Sequence, residues 1–436
     1  MENPLKIGIA GVGTVGASLV NVLNNKQNAL ANRCGRRIDV AAFSARSRDK
    51  DRGCDLTGAE FFDDPVKLAQ SGIDVFVELI GGEDGAALES VRAALKSGKH
   101  VVTANKALLA RHGVELAALA EENGLILNFE AAVAGGIPII KTMREALSAN
   151  DITRVYGILN GTCNYMLTRM ENEGISFEDC LADAQRLGYA EADPTFDIGG
   201  FDTAHKLAIL TSIAFGSQIA ADEIYVEGIS NITNADIEAA HELGYRIKLL
   251  GVCQKTASGI EQRVHPTMVP LESEIAQIGG VTNAVALEAD IVGELVLSGP
   301  GAGGMATASA VAGDICDIAK SRPGRQIAPA LGRPAAELEP YRKARMRTHE
   351  GGYFIRFTVR DKTGVFASIA TRMAEHDISL DSIVQHAPAR PVEDGEAKTI
   401  ILITDETTES AVRAAIEAIE GDGHLIARPQ MIRIEL

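Results

Sequence analysis

The run Leu5-Lys-Ile-Gly-Ile-Ala-Gly11-Val-Gly13-Thr14-Val15-Gly16 decides the fold of the amino-terminal third. It reads as an apolar strand, a Gly-x-Gly-x-x-Gly turn and the start of a helix, the spacing of a dinucleotide-binding loop. Gly11 permits the tight turn, Gly13 lets the backbone approach a pyrophosphate, and Gly16 lets helix and strand pack closely. Thr14 and Val15 open the helix, whose N-terminus faces the phosphate charge. The second strand ends in Phe43-Ser-Ala-Arg46-Ser-Arg48, with no acid to bind a ribose 2′-hydroxyl. Arginine pairs with a 2′-phosphate, so Arg46 points to NADP, with NAD as the alternative.

Outward from this loop, strand patterns at 5–10, 38–44, 74–80, 100–103 and 125–129 alternate with helical patterns at 15–23, 86–97 and 114–123. That alternation predicts βαβ units, hence a doubly wound, mostly parallel Rossmann sheet over 1–133. Residues 134–320 break the rhythm. They open on Gly-Gly-Ile-Pro and a helix, and a strand enters a helix at 155–170. A long helix follows at 202–215, then β runs at 262–269 and 284–297 that suit an antiparallel sheet. The reading is an α+β domain for substrate binding and dimerisation, with the helix at 306–320 returning to the first domain. Pro323, Pro329, Pro334 and Pro340 mark 321–350 as an extended linker. Residues 351–436 follow the order βαββαβ, which is ferredoxin-like.

A chain of 436 residues suits two to four such domains. A net charge of -17 argues against nucleic-acid or acidic-membrane partners, which require clustered Lys and Arg. No apolar stretch reaches the roughly 18 residues of a membrane span. The six cysteines include no CxxC pair, and the first residues enter a strand without a signal peptide, so the expected location is cytoplasmic.

The most informative run is Gly188-Tyr-Ala-Glu191-Ala-Asp193-Pro-Thr-Phe-Asp197-Ile-Gly-Gly-Phe-Asp202-Thr-Ala-His205-Lys206. Acids crowd a Gly/Pro-rich loop that leads into an apolar helix. Asp202 and Lys206 are four apart and share a helix face. The turns beyond them are apolar, so Lys206 lies where the helix enters the core. Burial lowers a lysine pKa and makes it a usable proton donor. Spacing alone leaves a structural ion pair equally open.

With these runs stand Val101-Val-Thr-Ala-Asn-Lys106, Glu130-Ala-Ala-Val-Ala-Gly-Gly-Ile-Pro138, Leu159-Asn-Gly-Thr-Cys-Asn-Tyr165 and Gly299-Pro-Gly-Ala-Gly303-Gly. Together they resemble the homoserine dehydrogenase family, in its monofunctional form with a carboxyl-terminal ACT domain, over nearly the whole chain. Cys163 departs from the threonine more usual there, a small exchange. The resemblance implies reversible hydride transfer between NAD(P)H and L-aspartate 4-semialdehyde, giving L-homoserine in threonine and methionine biosynthesis. It assigns proton delivery to Lys206, with Asp202 holding the lysine, the substrate or a water. Lys106 is implicated in catalysis and in binding both cofactor and substrate.

Glu191 would bind the substrate ammonium, with Asp197 as a second polar contact. Gly188 and Gly303 would let backbone approach the cofactor. Glu130, with the backbone of Val133, Gly135 and Ile137, resembles the family's monovalent-cation site, and such hard oxygen donors suit sodium. Asp361 and Gly364, in the turn opening the third unit, match the ACT loop that meets an amino-acid effector, expected to be threonine. A homodimer or homotetramer is expected. A 2-hydroxy-acid dehydrogenase would need a His–carboxylate pair and a mid-chain dinucleotide loop. A semialdehyde dehydrogenase would need a nucleophilic cysteine, and Cys163 has no evident histidine partner. A non-catalytic sensor would not need Lys106, Asp202 and Lys206. No catalytic role falls to His205 or His265.

Overall fold

A computed structural model of the chain describes residues 3–48, 50–189, 193–321, 328–344, 350–386 and 397–435. In the first domain β1 (Leu5–Ala10), helix α1 (Thr14–Asn25), β2 (Ile38–Ser44), β3 (Glu60–Phe62), β4 (Val75–Glu78), β5 (His100–Thr103), helix α2 (Lys106–Glu122) and β6 (Leu127–Asn128) follow in order. The strands form one parallel sheet, ordered β3-β2-β1-β4-β5-β6, the doubly wound Rossmann arrangement. Helices cover both faces of such a sheet, so its central strands are apolar throughout; every residue of β4 is buried. β3 was not anticipated, because three half-exposed residues carry no periodicity. Helix α2 begins two turns before the expected 114–123 pattern. Asn105 caps it through Leu108 N, and Gly113 is a packing position where a Cβ would meet Ile219 at 2.7 Å.

The second domain contains β7 (Ile152–Ile158), α3 (Gly161–Glu173), α4 (Phe201–Phe215), β8 (Tyr225–Val226), α5 (Asn234–Glu242), β9 (Tyr245–Thr256), β10 (Gly259–Pro270), β11 (Thr282–Ala289) and β12 (Gly293–Pro300). The helix expected after Gly-Gly-Ile-Pro is one short turn, Ile139–Lys141, that widens into a π turn at Thr142–Ala146. The β run at 284–297 is two antiparallel strands. Exposed Ile291 and Val292 carry the apolar pattern through the turn and hide it. β9, the twelve-residue antiparallel partner of β10, escaped notice because its centre is continuously buried and shows no alternation. Helix α6 (Gly304–Lys320) does return to the first domain, where Val311 and Ile315 share a core with Ile7, Leu19 and Val20.

Residues 328–344 are irregular, with one 3-10 turn at Ala335–Glu337, and they are bound rather than free. Gln218 N donates to Glu339 O at 2.8 Å, Ala344 N to Ile260 O at 2.8 Å, and Ala335 N to the Glu121 carboxylate at 2.8 Å. The third unit comprises β13 (Glu350–Arg360), α7 (Val365–Glu375), β14 (Leu380–His386), β15 (Ala397–Thr404), β16 (Thr407–Thr408), α8 (Glu409–Gly421) and β17 (Gln430–Ile434). Its sheet order β17-β13-β15-β14 is ferredoxin-like. β17 also pairs in parallel with β10 through Thr267↔Arg433 and Met268↔Ile434, so one sheet runs through the second and third units.

Buried ion pairs reinforce this seam. Glu409 accepts from Arg263 Nη1 of β10 at 2.9 Å and from Arg433 of β17 at 2.8 and 3.1 Å. Arg356 of β13 grips Asp236 of α5 at 2.6 Å, and Arg154 of β7 pairs with Glu435.

Candidate active site

A cavity of about 670 Å³ opens where the carboxyl ends of the Rossmann strands meet the second domain, the usual ligand position in open α/β sheets. Val15, Lys106, Gly188, Asp197, Lys206 and Gly303 line it, along with Asp202 and Gly135. Stretches far apart in the chain thus converge. Lys106 is the first residue of α2, Asp202 and Lys206 occupy the first turns of α4, and Asp197 lies on the short helical turn Thr195–Ile198 before it.

Asp202 is the electrostatic centre. Its Oδ2 accepts from Lys206 Nζ at 2.6 Å and from Asn160 Nδ2 at 2.9 Å, and its Oδ1 lies 3.1 Å from Lys106 Nζ. Burial opposes its ionisation, but the two ammonium groups and the hydrogen bonds from Lys206 and Asn160 outweigh it. The Asp202 carboxyl is therefore held well below the usual carboxylate range. Lys206 Nζ also donates to Leu159 O at 2.6 Å. An ammonium has three N–H groups, so one remains for the cavity among the described residues.

Asp197 accepts from the same Asn160 Nδ2 at 2.8 Å. Burial pushes its carboxyl upward, and the nearby Asp202 adds to that against the Asn160 hydrogen bond and the lysines. Glu191 falls outside the described residues.

Asn160, in the Leu159–Tyr165 run, belongs to the site although its sequence context alone gives it no catalytic role. It caps α3 through Cys163 N at 2.8 Å while its amide bridges Asp197 and Asp202. An asparagine immediately before a helix was the available signal, and it reads equally well as an ordinary cap. Cys163 is fully buried, its Sγ lies 3.3 Å from Asp197 O, and burial pushes its thiol well up, which removes it as a nucleophile. His205 packs edge-on against Phe196 and His265 bonds Thr267 Oγ1 at 2.9 Å; neither lines this cavity.

A second cavity, about 530 Å³, continues from Ile80 past Gly11 and Gly13 to Arg46. Gly11 has φ +97°, and a Cβ there would meet Leu79 O at 2.4 Å; a Cβ on Gly16 would meet Gly11 O at 2.3 Å. At Gly13 nothing lies within 4 Å, so its backbone is open to a ligand. These observations suit a dinucleotide with its phosphates at the loop. Thr14 and Gly16 line neither cavity; Gly16 serves packing. Arg52 also lines this cavity, but its guanidinium is turned onto the carbonyls of Ser47 and Lys50. Arg46 makes no such contact among those described and is exposed.

Glu130 is buried, and both carboxylate oxygens accept from backbone N–H groups, Ile140 at 2.8 Å and Lys141 at 2.9 Å. Burial is the main reason its carboxyl is pushed up to about 7. Gly135 adopts φ +55°, and a Cβ there would meet Gly301 O at 2.3 Å. Asp361 pairs with Lys398 at 2.9 Å, and Gly364, with φ +92°, precedes α7 at the surface.

Residues 11–130 match the family model of the homoserine dehydrogenase NAD binding domain, 138–316 that of homoserine dehydrogenase, and 353–421 that of the ACT domain. The homoserine dehydrogenase of Pseudomonas aeruginosa is 46% identical over 440 residues, covering 99% of both chains. A crystal structure of a homoserine dehydrogenase from Thiobacillus denitrificans superposes with a TM-score of 0.92 at 42% identity, covering 99% of this chain and 98% of that one. A hyperthermophilic archaeal homoserine dehydrogenase in complex with NADPH, 28% identical with a TM-score of 0.63, covers 73% of this chain and 99% of its own. The chain belongs to the homoserine dehydrogenase family of NAD(P)-dependent oxidoreductases and carries a carboxyl-terminal ACT domain.

Proposed function

We propose that Lys206 delivers the proton and Asp202 orients it when this enzyme reduces L-aspartate 4-semialdehyde to L-homoserine. The observation that carries this reading is a buried carboxylate held between two lysines on the wall of the cavity. A bound nicotinamide supplies the hydride. As the aldehyde oxygen gains charge, the third N–H of Lys206 stabilises it and then transfers its proton. Leu159 O and Asp202 fix the direction of that N–H. Lys106 provides a second positive charge beside substrate and cofactor. Asp197, with Glu191, binds the substrate ammonium, and Gly188 and Gly303 bring backbone to the cofactor. NADPH consumption with aspartate semialdehyde tests the activity, and no turnover would overturn the reading.

NADP is the proposed cofactor, with Arg46 on the 2′-phosphate. Arg46→Ala weakens NADP by about 10- to 100-fold, the scale of a lost charge-assisted contact, and leaves NAD nearly unchanged. Titrating both cofactors decides it, and equal losses would reject the assignment. Glu130, with backbone oxygens of Val133, Gly135 and Ile137, would hold a monovalent cation such as sodium; replacing sodium by a bulky organic cation should lower turnover. The edge of β12, beside exposed Ile291 and Val292, supports a homodimer, with ACT units extending it to a tetramer. The solution mass tests this. A cytoplasmic location fits the composition, and among the described residues no helix is long and apolar enough to cross a membrane. Fractionation of the producing cell tests it.

The ACT unit would take L-threonine at residues 361–366, where backbone N–H groups at the start of α7 can receive a carboxylate. L-threonine should inhibit the full-length enzyme, and Gly364→Val, which blocks approach and strains a left-handed backbone, should abolish inhibition. Rates with and without threonine check this; an enzyme indifferent to threonine refutes it. Truncation after residue 340 is a poorer test, because it strips the partners of Arg263, Asp236 and Arg154.

A further inference from the structure

Lys248 of β9 is buried, with 1% of its surface exposed, and its described hydrogen bonds go to neutral oxygens. Nζ donates to Ile278 O at 2.6 Å and to Asn164 Oδ1 at 3.2 Å. Asn164 of α3 donates in turn to Ile278 O at 3.3 Å and Thr282 O at 3.1 Å. One turn further along α3, Thr168 Oγ1 accepts from Gly280 N at 3.2 Å and donates to Asn164 O at 2.7 Å. Residues 278–282 are thus clamped to α3 at three points, with the ammonium at the joint. The nearby carboxylate, Glu171, is engaged by Arg246 at 2.7 Å.

The clamped segment leads directly into the cavity. Val281 and Asn283 line it between the start of α3 and the turn at 300–303. A Cβ on Gly161 would lie 2.8 Å from Val281 O, and one on Gly301 would lie 2.0 Å from the Asn283 side chain. The segment therefore packs directly against both cavity walls, with no space for a side chain at either glycine. Stability does not account for the charge, since a buried ammonium without a carboxylate is less favourable than an apolar side chain of similar volume. Burial, and then Arg246, push the Lys248 ammonium down to about 8, against Glu171.

We propose that Lys248 is a positioning residue that sets the 278–283 segment and thereby the wall against which the substrate is held. The proposal rests on the cavity being the reduction site. Its test therefore requires a wild-type enzyme that reduces aspartate semialdehyde; an inactive wild type would refute the functional reading instead. In full-length Lys248→Met, kcat should fall about 10- to 100-fold, the consequence of a misplacement near 1 Å. The Kd for NADPH should stay within about twofold because none of residues 278–283 lines the Gly13–Arg46 cavity that would hold the dinucleotide phosphates, and Tm should be unchanged or higher. A kcat within about twofold of wild type would overturn the proposal, as would Tm falling together with kcat. Should Lys248→Met not fold, Asn164→Ala severs the same clamp from the helix side. The same loss of kcat at unchanged NADPH affinity supports the proposal there, and an unchanged kcat overturns it.

Discussion

Lys206→Ala should lower kcat by about 10²- to 10⁴-fold in a protein that still folds. Loss of one partner from a buried ion pair usually costs several kcal/mol, because the other charge is left uncompensated. Here Asp202 retains Lys106 at 3.1 Å and Asn160 at 2.9 Å, so its carboxylate is not orphaned. A carboxyl depressed in the folded state contributes stability above the ordinary carboxylate range and loses it only as pH falls through the lower folded value. In the variant the part of that contribution supplied by Lys206 is lost and the part supplied by Lys106 and Asn160 stays, so stability falls only in part and the missing proton donor dominates turnover. Circular dichroism, NADPH binding and steady-state rates measured together check this. A folded variant with near-normal turnover would remove Lys206 from the mechanism.

The second large effect concerns the seam between the second domain and the ACT unit. Glu409→Gln removes the carboxylate shared by the buried Arg263 and Arg433 guanidinium groups, which keep Glu261 and Glu227 as partners, and should cost about 1.5–3 kcal/mol near neutrality, the scale of lost charge-assisted contacts. Burial opposes ionisation of Glu409, but Arg433, Arg413 and Arg263 hold its carboxyl down to about 2, against an ordinary value of 4.5. Its contribution is therefore fully present above about 4.5 and disappears as pH falls toward 2. Urea unfolding at neutral and acid pH should show a large gap between wild type and variant that closes across this window. Equal stability near neutrality would show that the seam does not depend on this carboxylate.

Residues near one another in sequence made much of the site legible. The Gly11–Gly16 loop needs only a strand, a turn and a helix in succession. Asp202 and Lys206 are brought together by helical spacing alone, and Gly188 and Gly303 lie in motifs whose backbone conformation demands glycine. The family resemblance then added Lys106, which no local pattern connects to Asp202. Asn160 escaped because its capping role looks complete by itself. Lys248 escaped because a lysine within an apolar strand gives no sign of whether it is buried or exposed.

By itself the sequence determined the alternation of strand and helix that makes the Rossmann sheet, the βαββαβ order of the third unit, and the pairing of Asp202 with Lys206. Each follows from side-chain periodicity and glycine conformation within some tens of residues. Tertiary structure alone decided that Lys106 reaches Asp202 from another domain, since the separation of 96 positions is closed only by packing α4 against the first domain. It also decided that β17 extends the sheet of β10, which turns the expected tether into a hydrogen-bonded seam. Strand partners and buried charges are chosen by which surfaces exclude water together, and that choice is made by the folded chain as a whole.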